Sequence, residues 1–128
     1  MGAILSFRDL RVYMLAREEA KKVFIITRTF PKEERYSLID QVRRSSRSVG
    51  ATLAEAWAKR KYQAAFISKI DDALGEAMET QAWLDYAVDC RYISQSQYAE
   101  MDRAWQSIGG MLRNMITRSS YFCEAKHQ

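Results

Sequence analysis

The sequence predicts an all-α protein, an antiparallel up-down-up-down four-helix bundle, and three observations predict it. With 48% hydrophobic and 28% charged residues, the chain is too apolar for a disordered polymer. Five glycines and a single proline in 128 residues are too few turn formers for a many-stranded β-sandwich. Four stretches, about 7–29, 33–59, 62–89 and 95–119, keep their apolar residues three and four apart, the period of a helix with one buried face. Short links can join only neighbouring helix ends, hence the antiparallel order, and the length suits one domain over residues 1–128.

In the first stretch Leu10, Tyr13, Ala16, Ala20, Val23, Phe24 and Thr27 form the stripe, and Pro31 stops the helix near Thr29. Its start has two readings. Met1 to Ser6 fits the N-myristoylation pattern, whereas Ser6 with Asp9 three residues on forms a capping box, the reading preferred here. The second stretch opens on Glu33 and Glu34, suited to the positive end of a helix dipole. Its stripe of Leu38, Val42, Ser45, Val49, Leu53, Ala56 and Trp57 is rich in small residues, and Gly50 in its middle points to close packing or a bend. The third carries Phe66, Ile70, Ala73, Ala77, Leu84 and Val88 inward and most of the acid outward. Ser94 with Gln97 gives the fourth a capping box, followed by a seam of Tyr98, Met101, Trp105, Ile108, Leu112 and Met115.

Several function classes lose support at this point. Cys90 and Cys123 are the only cysteines and His127 is the only histidine, so neither a zinc site nor a histidine-based triad is expected. No cofactor, metal or small-molecule substrate is implied. No stretch approaches the ~20 apolar residues of a membrane span, and the start lacks a secretory pattern. A cytoplasmic protein with reduced thiols, having no membrane partner, is the expectation.

Charge is unevenly divided. Residues 1–61 carry 14 Lys and Arg against 7 Asp and Glu, whereas residues 62–128 carry 6 against 9, so a net charge of +4 hides two halves of opposite sign. Solvated faces would explain this, as would an acidic third helix of one copy meeting the basic second helix of another, or a basic half meeting phosphate. Val12, Ile25, Ile26, Trp83 and Tyr86 are apolar beyond the buried stripes and fit self-association, although scattered apolar residues are also ordinary on monomers.

Five segments in order carry a family likeness: Phe7-Arg8-Asp9-Leu10-Arg11-Val12-Tyr13, Phe30-Pro31-Lys32-Glu33-Glu34-Arg35-Tyr36-Ser37-Leu38, Gln41 to Ser45 with Ser48-Val49, Leu53-Ala54-Glu55, and Glu76 to Gln81. Together they resemble the four-helix-bundle proteins encoded in intervening sequences of bacterial 23S ribosomal RNA genes. The resemblance covers residues 7 to about 93, with the fourth helix matching only in pattern. It implies a left-handed bundle, assembly as a homopentamer, and no enzymatic activity. Thr52 and Ala56 replace the family's asparagine and glycine, and Asp72-Ala73 stands where Gly-Ser is common. A looser likeness in architecture links the chain to the accessory proteins of diversity-generating retroelements, pentameric bundles that bind nucleic acid and a reverse transcriptase.

Arg43, Arg44 and Arg47 lie within about one turn of the second helix and form a candidate RNA- or DNA-binding flank. The alternative is pairing with Glu33, Asp40, Glu55 or a neighbouring copy's third helix. Lys59, Arg60 and Lys61 are a second candidate, with a solvated loop as the alternative. Glu55 and Gln41 lack a catalytic companion and are read as pairing or register residues. Tyr13, Trp57, Phe66, Trp83 and Trp105 fall at helical spacing and are read as core or interface rather than base-stacking surfaces. The leading expectation is a non-enzymatic, self-assembling scaffold that holds RNA or DNA on the basic flank of the second helix. The alternative is a protein-interaction module with no nucleic-acid role.

Overall fold

The structure is a computed structural model that describes residues 3–124; Gly2 of the N-terminal pattern and His127 lie outside the described residues. Among the described residues there is no strand, and several helices pack against one another.

Ser6 and Asp9 form the capping box, the Ser6 hydroxyl accepting from the Arg8 N–H at 3.2 Å and the Asp9 carboxylate accepting from the Ser6 N–H at 3.0 Å. The box starts only a 3-10 turn, Phe7–Asp9, because buried Leu10 is extended at φ −68°, ψ 127°. The first α-helix, α1 (Arg11–Thr27), begins after this break, four residues later than the sequence suggests. Its buried residues include Val12, Ala16, Val23 and Thr27. Tyr13 is therefore half-buried and Phe24 exposed, and Val12, which reads as surplus, belongs to the core. The large aromatic side chains mislead the periodicity by one residue.

Pro31 ends the α1 region as its missing N–H requires, and its own N-terminal neighbour Phe30 turns inward. The chain re-enters helical form as a 3-10 turn, Lys32–Glu34, followed by a π-turn, Arg35–Ile39. Regular α2 spans Asp40–Ala58. Leu38 and Ile39 are consecutive yet both buried, which the wider π-turn accommodates. α3 (Gln63–Asp89) and α4 (Gln95–Thr117) follow, and a four-residue α5 (Ser119–Phe122) is the last helix among the described residues. Ser94 and Gln97 make the expected capping box, with hydrogen bonds of 2.8 and 3.0 Å.

α2 packs on α3, α3 on α4, and α1 on both α2 and α4. Phe66, Ile70, Leu84, Trp105, Ile108 and Leu112 are essentially sealed from water at the centre. The α2–α3 seam is lined by Ser45, Val49, Ala56, Ala73 and Ala77, all buried, so small side chains let these two helices approach closely. Across that seam the Ser45 and Thr80 hydroxyls share a buried hydrogen bond of 2.8 Å. Thr80 also donates to the Glu76 carbonyl, so neither hydroxyl is stranded in the core.

Among the described residues no helix is long and apolar enough to cross a membrane.

Candidate nucleic-acid interface

The three arginines of α2 take different partners. Successive helical residues are about 100° apart, so Arg43 and Arg44 diverge while Arg47 lies between them. Arg43 leans toward α1, where its Nε donates to the Thr27 hydroxyl at 2.8 Å and its guanidinium sits 4.6 Å from the Phe24 ring centre. Burial, then the nearby Arg47 and Arg28, push its pKa below the usual arginine value, and the group still remains a cation. Arg44 turns the other way, donating to Gln41 at 2.8 Å and lying 3.8 Å from the Glu79 carboxylate of α3. Arg47 is exposed, 5.4 Å from the same Phe24 ring. None of the intramolecular acids expected to take these arginines does so; the partner is Glu79.

Phe24 therefore serves as a shelf that holds two guanidiniums, a cation–π arrangement worth about 0.5–1 kcal/mol each at an exposed site. Beside it runs an open cleft of about 820 Å³ between α1 and α2. Ala16, Ala20, Ser46, Gly50 and Ala54 form its floor, and Arg17, Lys21 and Arg47 stand at its rim. At Gly50 an added Cβ would lie 3.4 Å from the Tyr13 ring, so the glycine serves the close approach of α1 without being demanded by it. Arg17, Lys21 and Arg28 are cations of this face that the reading of α2 alone omits. They come from α1 and its C-terminal cap, where they alternate with the apolar stripe that periodicity picks out.

Lys59, Arg60 and Lys61 occupy the turn between α2 and α3. Lys59 and Lys61 are exposed. Arg60 is pinned, its guanidinium 3.8 Å above the Trp57 ring and its Nε donating to the Trp57 carbonyl at 2.8 Å. The turn is also tied to the C-terminal segment, since the Arg60 carbonyl accepts from the Glu124 N–H at 3.1 Å.

The other polar residues singled out in the sequence make ties within or between helices. Glu55 is exposed and lies 3.7 Å from Lys69 of α3, and Gln41 accepts from Arg44. Glu79, Thr80 and Gln81 each reach a different partner: Arg44 and Ser45 on α2, and Asp102 on α4 at 3.0 Å. In the Phe30–Leu38 segment, the Phe30 ring packs 5.2 Å from that of Tyr92, and Glu34 accepts from the Tyr92 hydroxyl at 2.8 Å. Among the described residues no group of three His, Cys, Asp or Glu side chains could hold a metal ion. Cys90 and Cys123 are free thiols.

The family description that matches this chain is "23S rRNA-intervening sequence protein", over residues 8–114. The chain belongs to the 23S rRNA-intervening sequence protein family. A solved structure shares this architecture, that of a protein with unknown function from the S23 ribosomal protein family of Bacteroides thetaiotaomicron VPI-5482. It is 29% identical, with a TM-score of 0.75, and the match covers 83% of this chain and 95% of that one. No curated protein matches the chain. The segments by which the 23S rRNA-intervening sequence family is legible here are largely the ones that tie helices and turns together. Phe30, Glu34, Glu79, Thr80 and Gln81 all make such ties.

Proposed function

We propose that this protein is a non-enzymatic, self-assembling scaffold that holds RNA or DNA on its basic surfaces. Its subunit is an antiparallel up-down-up-down, left-handed four-helix bundle, which the short α2–α3 and α3–α4 links and the cyclic packing of the four long helices support. Subunits close into a homopentamer, as the family resemblance implies.

The observation that carries this reading is the division of charge between two open faces. α3 holds Asp71, Asp72, Glu76, Glu79, Asp85 and Asp89 against the single cation Lys69, whereas the α1–α2 cleft is lined by Arg17, Lys21 and Arg47 against the single carboxylate Glu18. The outer face of α3 also exposes Met78 and Tyr86. About one turn before Met78, Gly75 sits mid-helix, with nothing within 4 Å of the place where a Cβ would be. A glycine there costs the isolated helix about 1 kcal/mol, a cost that close approach of a second chain would explain. Seating the acidic α3 face of one copy on the basic cleft of the next is a head-to-tail contact, and such contacts generate rings when the rotation between copies closes. Polar residues spent on internal ties, such as Glu55, Gln41 and Thr80, support the non-enzymatic part.

A second reading, a protein-interaction module with no nucleic-acid role, is favoured by Arg43 and Arg44, whose guanidiniums already bond within the chain. Light scattering on the purified protein, followed by salt titration with structured RNA and duplex DNA, separates the two. A five-subunit mass with retention near physiological salt is expected. A monomer at about micromolar concentration overturns assembly through interfaces of useful strength. Assembly without retention selects the second reading.

A further inference from the structure

We propose that the α2–α3 turn and α5 together form a platform for single-stranded nucleic acid, on which Tyr62 and Tyr121 stack bases while Lys59, Arg60, Lys61 and Arg118 neutralise phosphates. The proposal rests on the nucleic-acid reading above and moves its main contact from the side of α2 to this end of the molecule.

The platform is built by tertiary contacts. Gln63 Nε2 donates to the Ser119 hydroxyl at 2.8 Å, the Glu124 N–H donates to the Arg60 carbonyl at 3.1 Å, and the Phe66 and Phe122 rings stack with centroids 6.2 Å apart. Two segments far apart in sequence thus become one surface. Residues 59–63 and 118–124 contain four cations and one carboxylate, Glu124. Among the described residues none of the four cations forms an ion pair, whereas Arg44, Lys69 and Lys22 all do.

The aromatic residues divide by role. Phe66 and Phe122 carry the packing between the two segments, which leaves Tyr62 and Tyr121 63% and 71% exposed. Arg118 lies 5.9 Å from the Tyr121 ring centre, so cation and ring are placed side by side. Alternating cations and exposed flat rings suit a strand whose bases are unpaired, because every base has a π-face to stack and a phosphate to neutralise. A duplex hides those faces. A membrane surface fits less well, since neither segment exposes Leu, Ile or Val to enter acyl chains.

The test is fluorescence anisotropy with labelled oligouridylate and oligothymidylate of about 16 nucleotides, and with a duplex of the same length. Tyr62→Ser with Tyr121→Ser is expected to weaken single-strand binding about tenfold or more without changing its salt dependence. Serine suits position 62, the N-cap of α3, so folding is preserved, and thermal melting checks this. Tyr62→Phe with Tyr121→Phe is expected to bind as the parent does. Lys59→Ala, Lys61→Ala and Arg118→Ala together are expected to lower the slope of log K against log salt by about 2. If single strands bind but only Arg43→Ala, Arg44→Ala and Arg47→Ala abolishes it, the platform is overturned and the nucleic-acid reading stands. Duplex bound as tightly as single strands, with the serine variants neutral, likewise overturns the platform alone. If no oligonucleotide binds, both fall.

Discussion

Arg91 has a backbone φ of 62°, the one non-glycine residue in left-handed geometry among the described residues. It sits just past the end of α3, where its own N–H donates to the Val88 carbonyl at 3.0 Å and the Tyr92 N–H reaches back to the Ala87 carbonyl at 2.9 Å. These two bonds are the Schellman pattern, which glycine normally supports because it has no Cβ to clash. Arg91→Gly is therefore expected to raise stability by about 0.5–1 kcal/mol, a gain reduced by the extra freedom glycine has when unfolded. A higher denaturant midpoint at unchanged slope would show it, and a lower midpoint would mean that the arginine side chain contributes more than its backbone strain. The tyrosines nearby offer a pH test. Hydrogen bonding to Glu34 raises the Tyr92 pKa to about 12, and hydrogen bonding to Asp85 raises that of Tyr98 to about 12. A folded-state pKa above the unfolded value of about 10 means that the contribution is complete below that pH. It is lost as pH rises toward about 12. The stability difference between the parent and a Tyr92→Phe, Tyr98→Phe variant should be flat from neutral pH, where the acceptor carboxylates are ionised, up to about pH 10 and close above it, as followed by thermal melting across pH. A difference that stays constant through this range would remove the two hydrogen bonds from the account.

At the scale of the helix, what was legible in the sequence was periodicity and capping. α3 and α4 appear close to their expected bounds because each is long, strongly periodic and, for α4, opened by the Ser94 box. The Ser6 box was equally legible, but it caps a 3-10 turn, because Leu10 is buried by extending the chain rather than by continuing a helix. Likewise the π-turn before α2 arises from the need to bury Leu38 and Ile39 together, a tertiary demand with no local code. The site was less legible than the fold. Arg47 lies four residues from Arg43 and three from Arg44 and so joins all three in projection, yet the consecutive Arg43 and Arg44 point about 100° apart, and each takes the acceptor or ring on its own side, α1 for Arg43 and α3 for Arg44. Pairing of the α2–α3 turn with α5 spans more than fifty residues of chain, as in the Gln63–Ser119 bond, and no spacing rule reaches that far. Trp105, whose spacing predicts core or interface, lies in the core, and its buried Nε1 has no hydrogen-bond partner among the described residues. Filling the centre of the bundle with a large ring outweighs the donor left unmade.

For the whole molecule, the proposed ring makes a demand on charge that a single subunit does not. If the acidic face of α3 seats on the basic α1–α2 cleft, reversing either face alone places like charges together, at a cost of about 4 kcal/mol for a close pair near a surface. Lys21→Glu with Arg47→Glu in the cleft, or Asp71→Lys with Asp72→Lys on α3, should each lower the mass measured by light scattering toward the monomer. All four residues are exposed, and none forms an ion pair among the described residues, so the subunit fold should survive, as a helical circular dichroism spectrum would verify. Combining the four substitutions in one chain restores opposite charges across every contact, and the five-subunit mass should return. Mixing the two singly reversed proteins is more discriminating. There every favourable contact joins unlike subunits, so a closed ring must alternate and hold an even number of chains, which a five-membered ring cannot satisfy. The mixture should therefore give open or even-numbered species while the fourfold variant gives the pentamer. If either reversed protein stays assembled by itself, or the fourfold variant remains a monomer, α3 does not meet the α1–α2 cleft.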